Sequence, residues 1–534
     1  LNMVTAAALA HVNRLPVLLL PGDIFANRRP DPVLQQVEDF GDGTVSANDC
    51  FRPVSRLWDR ITRPEQILSA LPEAVRMLLD PAETGAVTLC LPEDVQAEAF
   101  ACPSSFFAPR VHVIERRAPS LDALSDAVRL LRAAERPLII AGGGVHRSDA
   151  CAALSSFAAN AGIPVAMTQA GMGAVLADHP SWLGSIGVTG TACANEVART
   201  ADVVIAVGTR LSDFTTASKT QFQDPRVRFV SINVNAMDAH KHGAVPVVAD
   251  AQAALQALDA ALTGARFDGT RIESARAAWL DARASLVARA TEARAAPPSA
   301  SAASPPALSQ AAIIDIVNEH CARAPSLVVH AAGGIPGDIH KLWRSARHDD
   351  YHSEYGYSCM GYEIAGALGA KIARPEAEVY ALLGDGSYLM LANELLTAIQ
   401  EHVKITVIVV DNHGYQCIHN LQRGTGGRSF GNEFRARNGA ALDGDVVRVD
   451  FVQSAQALGA TAFTATTASE LERALTDARA LSTSAFIYVP IAEPSNLPGS
   501  SWWDVPPPEV SGVPSVQQAR RDYDEARRKQ RFHY

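Results

Sequence analysis

No Cys-x-x-Cys pair occurs in the 534 residues; Cys50, Cys90, Cys102, Cys151, Cys193, Cys321, Cys359 and Cys417 are scattered, and Cys90 lies inside an apolar run. This is reduced, cytoplasmic usage rather than a disulfide framework. A basic excess is missing too: the net charge is −10, which removes support for nucleic acid or a membrane surface as partner. No apolar run approaches the roughly 18 residues that a spanning helix needs. The opening "LNMVTAAALAHVNRLPVLLLPGD" lacks a basic n-region and carries Pro16 ahead of its apolar core, so it is not read as a signal peptide. Position 1 is not Met, so the chain need not start at a natural beginning.

Hydrophobic residues make up 48% and charged residues 19%, the balance of a globular chain with large buried cores. At roughly 150 residues per domain, about three domains are expected. Short β-rich apolar runs predict strands at Val17–Leu20, Ala86–Leu91, Leu138–Ala141, Val203–Val207, Val227–Val234, Leu327–His330, Val379–Leu383, Ile405–Val410 and Ala485–Val489. Ala- and Leu-rich helices lie between them, for example Ala311–His320, Leu391–Gln400 and Leu121–Leu131. Apolar strands alternating with helices predict an α/β fold of doubly wound parallel sheets. The Ala-, Pro- and Ser-rich "ARAAPPSASAASPPALSQ" is expected to be a linker. The expected segments are therefore 1–115, 116–292, a linker at 293–307, 308–490, and a tail at 491–534 whose "VQQARRDYDEARRKQRFHY" reads as a charged helix docked on its own subunit. The first segment shows only two convincing strands, too little apolar face to offset the ordering entropy of about a hundred residues. Part of its sheet is expected to be missing or supplied by something else.

The stretch that carries chemistry is "ALLGDGSYLM", where a buried strand breaks into Gly384-Asp385-Gly386-Ser387. Alone, it is a tight turn with a solvated acid. Residues 387–410 then read as one helix and one strand, ending at "DNHGY" with Asn412 and Gly414. Two neighbouring parallel strands would bring Asp385 and Asn412 to one sheet edge, where open α/β sheets bind ligands. A carboxylate, an amide oxygen and the Gly414 carbonyl make a hard oxygen set suited to Mg²⁺, with phosphates completing the shell. The glycines would let backbone N–H groups meet those phosphates, and a helix after Ser387 would aim its positive end at them. By contrast "AGGGVHR" lacks Gly-x-Gly-x-x-Gly spacing, and "IPVAM" follows where an acidic ribose ligand should be. It is not read as a nucleotide site.

Gly-Asp-Gly, a helix and strand, then Asn resembles the diphosphate and Mg²⁺ motif of thiamine-diphosphate (ThDP) enzymes. "CMGYEIAGALGAKIA" looks like the segment preceding that motif in acetolactate-synthase-like members. There an apolar side chain, 25 residues before the metal aspartate, props the cofactor into its bent shape; that position here is Met360, and the Ser358 carbonyl would face the aminopyrimidine. Met360 by itself would be ordinary core filling. "PLIIAGGGVHRSDA" through "ADVVIAVGTRLSDF" resembles the family's central domain. The resemblance implies pyrimidine-binding, central and diphosphate-binding domains, the first truncated at its N-terminus. It implies ThDP and Mg²⁺ as cofactors. It assigns cofactor contacts to Gly334, Ser358, Met360, Gly384, Asp385, Gly386, Ser387, Asn412 and Gly414, and the metal to Asp385, Asn412 and Gly414. It further implies a homodimer or homotetramer with cofactors between subunits.

Five stretches narrow the likeness: "LLLPGDIFANRRPDPVLQQVED", "CFRPVSRLWDRITRPEQ", "GGIPGDIHKLWR", "HSEYGYSCMGYEIAGALG" and "DNHGYQCIHNLQRGTGG". They resemble the ring-opening carbon–carbon hydrolases of that family, which act on a small cyclic 1,2-dione in inositol breakdown. One departure stands out. The family's activating glutamate and the Gly-Pro-Gly turn after it have no counterpart, and Asp23, Asp31 and Glu38 lie in the wrong context to take that role. No catalytic residue is assigned, and the chain taken alone is expected to be impaired. His340, His413 and His419 are the candidate substrate-side proton donors or hydroxyl binders. The alternative activities are an acetolactate-synthase-like 2-oxo-acid carboligase or decarboxylase, and an inactive cofactor-binding fragment.

Overall fold

Each apolar run expected to be a strand is one, with ends within one residue of the expected bounds. The computed structural model describes residues 1–29, 31, 33–268, 270–295, 308–491, 497 and 501–534. Contacts divide them into two units, Leu1–Arg116 with Glu354–Cys359, and Arg117–Ser353 with Met360–Tyr534.

The first unit holds four short parallel strands rather than the two expected. They are β1 (Val17–Leu19), β2 (Gly22–Asp23), β3 (Leu57–Arg60) and β4 (Ala86–Pro92), with β1, β2 and β3 all pairing with β4. The two missed strands are a two-residue ladder and the polar sequence LWDR, neither of them an apolar run. β4 is packed on both faces: Val87 and Leu89 join Ile61 and Ala74, while Ala86 joins Leu19 and Phe51. Asp23 is buried, with Arg60 Nε donating to its Oδ2 at 2.6 Å, so this acid is committed to a structural ion pair.

In the second unit, β5 (Pro137–Ala141), β6 (Val165–Met167), β7 (Trp182–Ser185), β8 (Val203–Val207), β9 (Arg228–Asn233) and β10 (Val245–Val248) form a parallel sheet in the order β10-β9-β8-β5-β6-β7. Its switch point lies between β5 and β8, where a nucleotide would bind in a dinucleotide fold. The glycine turn after β5 is filled from within. A Cβ on Gly142 would meet the Gly208 carbonyl oxygen at 2.5 Å, and one on Gly144 would meet Gly208 Cα at 2.6 Å. Those glycines serve loop packing, in keeping with the sequence reading.

The third sheet contains β11 (Ser326–His330), β12 (Tyr351–Ser353), β13 (Glu378–Gly384), β14 (Thr406–Asp411), β15 (Thr461–Thr464) and β16 (Ala485–Pro490), all parallel, in the order β12-β11-β13-β14-β16-β15. Alternate residues face opposite layers. Tyr380, Leu382, Ile408 and Val410 enter the large core shared with the preceding sheet, and Ala381, Leu383, Val407 and Val409 pack under the helices of the other face.

The expected linker begins late: a helix runs from Thr270 to Ala295, and residues 296–307 lie outside the described residues. The tail helix Pro514–Arg527 docks on its own chain, with Tyr523 Oη donating to Asp504 at 2.7 Å. Among the described residues no helix is long and apolar enough to cross a membrane.

Candidate functional site

β11, β13 and β14 lie side by side, and the change in winding direction falls between β11 and β13. Gly334 follows β11, Asp385 follows β13, and Asn412 and Gly414 follow β14, so all four come to the carboxyl edge at the switch point. Pairing of Gly384 with Val410 sets the two strand tips level. Asp385 is fully buried; the Gly386 amide donates to its Oδ1 at 2.8 Å and the Gly414 amide to its Oδ2 at 2.9 Å. Only glycine fits at 414, where φ is 139° and a Cβ would lie 2.2 Å from the Asn432 carbonyl oxygen.

The Asn412 side-chain oxygen faces acceptors alone, 2.8 Å from Gly414 O and 3.1 Å from Asp385 Oδ1. An amide rotated by 180° would place its nitrogen there and donate to both. With oxygen in that place, its distances to the other two oxygens match the edge of an octahedron whose centre is about 2.1 Å from each oxygen, an edge of about 3.0 Å. Such a triad is repulsive without a cation and well satisfied with one, so the donor set fits Mg²⁺. Among the described residues no group of three His, Cys, Asp or Glu side chains could hold a metal, so one carboxylate, one amide and one carbonyl are the set on offer.

Two buried carboxyls behind this triad escaped the sequence reading. Asp411, the last residue of β14, accepts from Tyr488 Oη at 2.6 Å and from the His413 amide at 2.9 Å. Burial, with the Asp411 carboxylate beside it, pushes Asp385 up to about 8. A cation among the oxygens would offset that charge. Asp411 was visible as an acid directly before Asn412, at a strand end. Glu363 is the second: wholly buried, it accepts from Ser387 Oγ at 2.8 Å and from the Gly361 amide at 3.0 Å, and burial raises its pKa. A glutamate in an otherwise apolar helical run was the available signal.

The remaining candidates divide. Asp385, Gly386, Ser387, Asn412 and Gly414 converge, and the Gly361 amide lies 3.2 Å from Ser387 Oγ, tying the turn after Met360 to them. Gly386 is required by packing, because a Cβ would meet the Tyr415 ring at 2.6 Å. Gly384 has only Ile335 Cδ1 at 3.9 Å, and Gly333 and Gly334 have nothing within 4 Å, so their backbone faces open space. Ser358, at φ 56°, groups with the first unit.

Two expectations are corrected. Residues 387–410 hold parts of two helices, Asp385–Leu391 and Glu394–Gln400, before β14, and the first begins at Asp385 itself rather than after Ser387. The Gly384 N-cap closes the strand directly into the helix, leaving no intervening loop. His340 is buried, with Nδ1 2.9 Å from Thr189 Oγ1, and burial drives it down to about 3, so it stays neutral and supplies no imidazolium proton, which leaves hydroxyl binding as the expectation that this burial does not touch. His413 is exposed with a positive φ of 62°, and His419 Nδ1 lies 2.8 Å from Ser429 Oγ.

Residues 124–258 match the family model described as thiamine pyrophosphate enzyme, central domain. Residues 331–489 match that of thiamine pyrophosphate enzyme, C-terminal TPP binding domain. The chain is 46% identical over 535 residues to a Bacillus anthracis protein named 3D-(3,5/4)-trihydroxycyclohexane-1,2-dione hydrolase, covering 97% of this chain and 83% of the relative. It is 47% identical over 538 residues to the like-named protein of Geobacillus thermodenitrificans, covering 98% and 84%. Together with three parallel sheets and an oxygen triad at the switch point, these matches show that the chain belongs to the thiamine pyrophosphate enzymes, in the family of these hydrolases.

Proposed function

We propose that the protein is a ThDP- and Mg²⁺-dependent carbon–carbon hydrolase that opens the ring of a trihydroxycyclohexane-1,2-dione to a 5-deoxy-uronic acid in myo-inositol degradation. The observation that carries this reading is the triad of Asp385, Asn412 and Gly414 oxygens, in a chain 46% identical to proteins bearing that name. In the overall change, water is added across the bond between the two carbonyl carbons. One carbon takes the water's hydroxyl and becomes the carboxylic acid, and the other gains a hydrogen and becomes an aldehyde.

When bound, ThDP supplies the carbanion chemistry and the electron sink. The chain does the rest. Asp385, Asn412 and the Gly414 carbonyl hold the cation that anchors the phosphates, and the open backbone at Gly333–Gly334 and Gly384 leaves room for those phosphates. Met360 offers an apolar prop and the Ser358 carbonyl an acceptor for the aminopyrimidine. His413 and His419 would serve as hydrogen-bond partners for substrate oxygens, a role supported for His419 by the Ser429 hydroxyl 2.8 Å from its Nδ1. The same reading includes a cytoplasmic homo-oligomer.

Product analysis tests it. Incubation of the protein with ThDP, Mg²⁺ and the cyclic dione should yield the open-chain acid with no CO₂, at the reduced rate expected of a chain without the activating glutamate. Release of CO₂ from pyruvate, with the dione untouched, would replace this reading with the 2-oxo-acid carboligase.

A further inference from the structure

Glu363 is an expensive group to bury. It has no exposed surface, and the donors that meet its carboxyl are a hydroxyl and a backbone amide, both neutral. Removing a carboxylate from water costs several kcal/mol unless hydrogen bonds replace the lost solvation. Here they come from two separated segments. Ser387 Oγ donates at 2.8 Å and the Gly361 amide at 3.0 Å. Each donor adjoins a residue of the candidate cofactor seat. Gly361 follows Met360, and Ser387 follows Gly386. The Gly361 amide also reaches Ser387 Oγ at 3.2 Å, so carboxylate, hydroxyl and amide close a small ring. One segment precedes the helix Tyr362–Ala373 and the other follows β13, and among the described residues no strand ladder joins the two.

We propose that Glu363 is a positioning residue, a buried carboxylate that fixes the Met360–Gly361 turn and the Gly386–Ser387 turn relative to one another and so preassembles the ThDP seat. It rests on the reading that this edge takes ThDP. Glu363 acts on that seat through these two donors. An isosteric amide would not replace it, because Glu363→Gln keeps one acceptor oxygen and turns an NH₂ toward groups that are themselves donors. An apolar residue of similar size would pack there without holding the loops in register. Sites whose supporting shell loosens by about 1 Å lose affinity steeply.

The test is a double-mutant cycle read by calorimetric titration of ThDP at saturating Mg²⁺ on the intact protein, using wild type, Glu363→Gln, Ser387→Ala and the double variant. Glu363→Gln should weaken ThDP about tenfold or more, the scale of hydrogen bonds to a charged group. In the Ser387→Ala background its effect should shrink by about fivefold or more, since contacting residues couple. Residues that merely stabilise the fold would lower the melting temperature and leave ThDP affinity unmoved. Unchanged affinity in Glu363→Gln, or effects that simply multiply, overturns the inference. Should Glu363→Gln fail to fold, Glu363→Asp, which keeps the charge on a shorter arm, completes the same cycle under the same criteria. The wild-type titration separates the two failures. No ThDP binding there sinks the functional reading, whereas tight binding with independent effects sinks only the role of Glu363.

Discussion

The two glycines flanking Asp385 should respond differently to the same added methyl group. At Gly386 a Cβ would lie 2.6 Å and 2.8 Å from two Tyr415 ring carbons, closer than side chains tolerate. Tyr415 cannot swing away freely, because its ring packs edge-on against Phe434 with centroids 5.8 Å apart. Gly386→Ala should therefore cost about 1–3 kcal/mol of stability, the range of overpacked cores. At Gly384 φ is −82° and the nearest atom is Ile335 Cδ1 at 3.9 Å, so an alanine meets no clash. Its cost is confined to the loss of glycine at a helix N-cap, under about 1 kcal/mol. The order reverses for the ligand. A methyl at 384 projects into the space assigned to the phosphates, and Gly384→Ala should weaken ThDP by about tenfold, or roughly 1.4 kcal/mol. Scanning calorimetry without cofactor, followed by titration of ThDP with Mg²⁺, reads both. Equal losses of stability in the two variants would refute the packing argument. Wild-type ThDP affinity in Gly384→Ala would refute the placement of the phosphates.

Three further outcomes are expected. Asp385→Ala should make ThDP affinity indifferent to Mg²⁺, and calorimetry with and without the ion checks this; a retained Mg²⁺ effect would move the metal elsewhere. Tyr488→Phe removes a hydroxyl that donates to the buried Asp411 at 2.6 Å, and should cost about 1.5–3 kcal/mol in denaturant unfolding. Stability should also fall in mild acid. Burial holds His320 down at about 4 and His340 at about 3, below the ordinary 6.5, so the unfolded chain binds more protons between these values. The stabilisation is complete above about pH 6.5 and is lost as pH falls toward 4, with a slope of up to about 2.7 kcal/mol per pH unit for the pair. A melting temperature constant from pH 7 to 5 would contradict it.

The strands show how far the chain could be read unaided. Runs such as Ala381-Leu382-Leu383 and Val407-Ile408-Val409 are apolar at every position, which only a strand covered on both faces needs. The spacing from Asp385 to Asn412 fitted one crossover, so the sequence alone carried the α/β class and the sheet edge at which Asp385, Asn412 and Gly414 meet. It failed where the cause was non-local. β3, with its polar LWDR, is a strand only because β4 lies beside it, and β2 is two residues whose ladder partners are nearly seventy positions away. His340 resembled a loop histidine until the Thr189 side chain arrived from another sheet to bury it.

Composition, periodicity and motif spacing therefore determined the α/β class and the principal parallel strands, because these follow from solvation and steric preferences acting within a few residues. Tertiary structure decided which carboxyls lose their water. Asp411 and Glu363 became part of the site because chain segments 24 to 77 positions away close over them, and desolvation depends on what arrives in space, not on what neighbours in sequence.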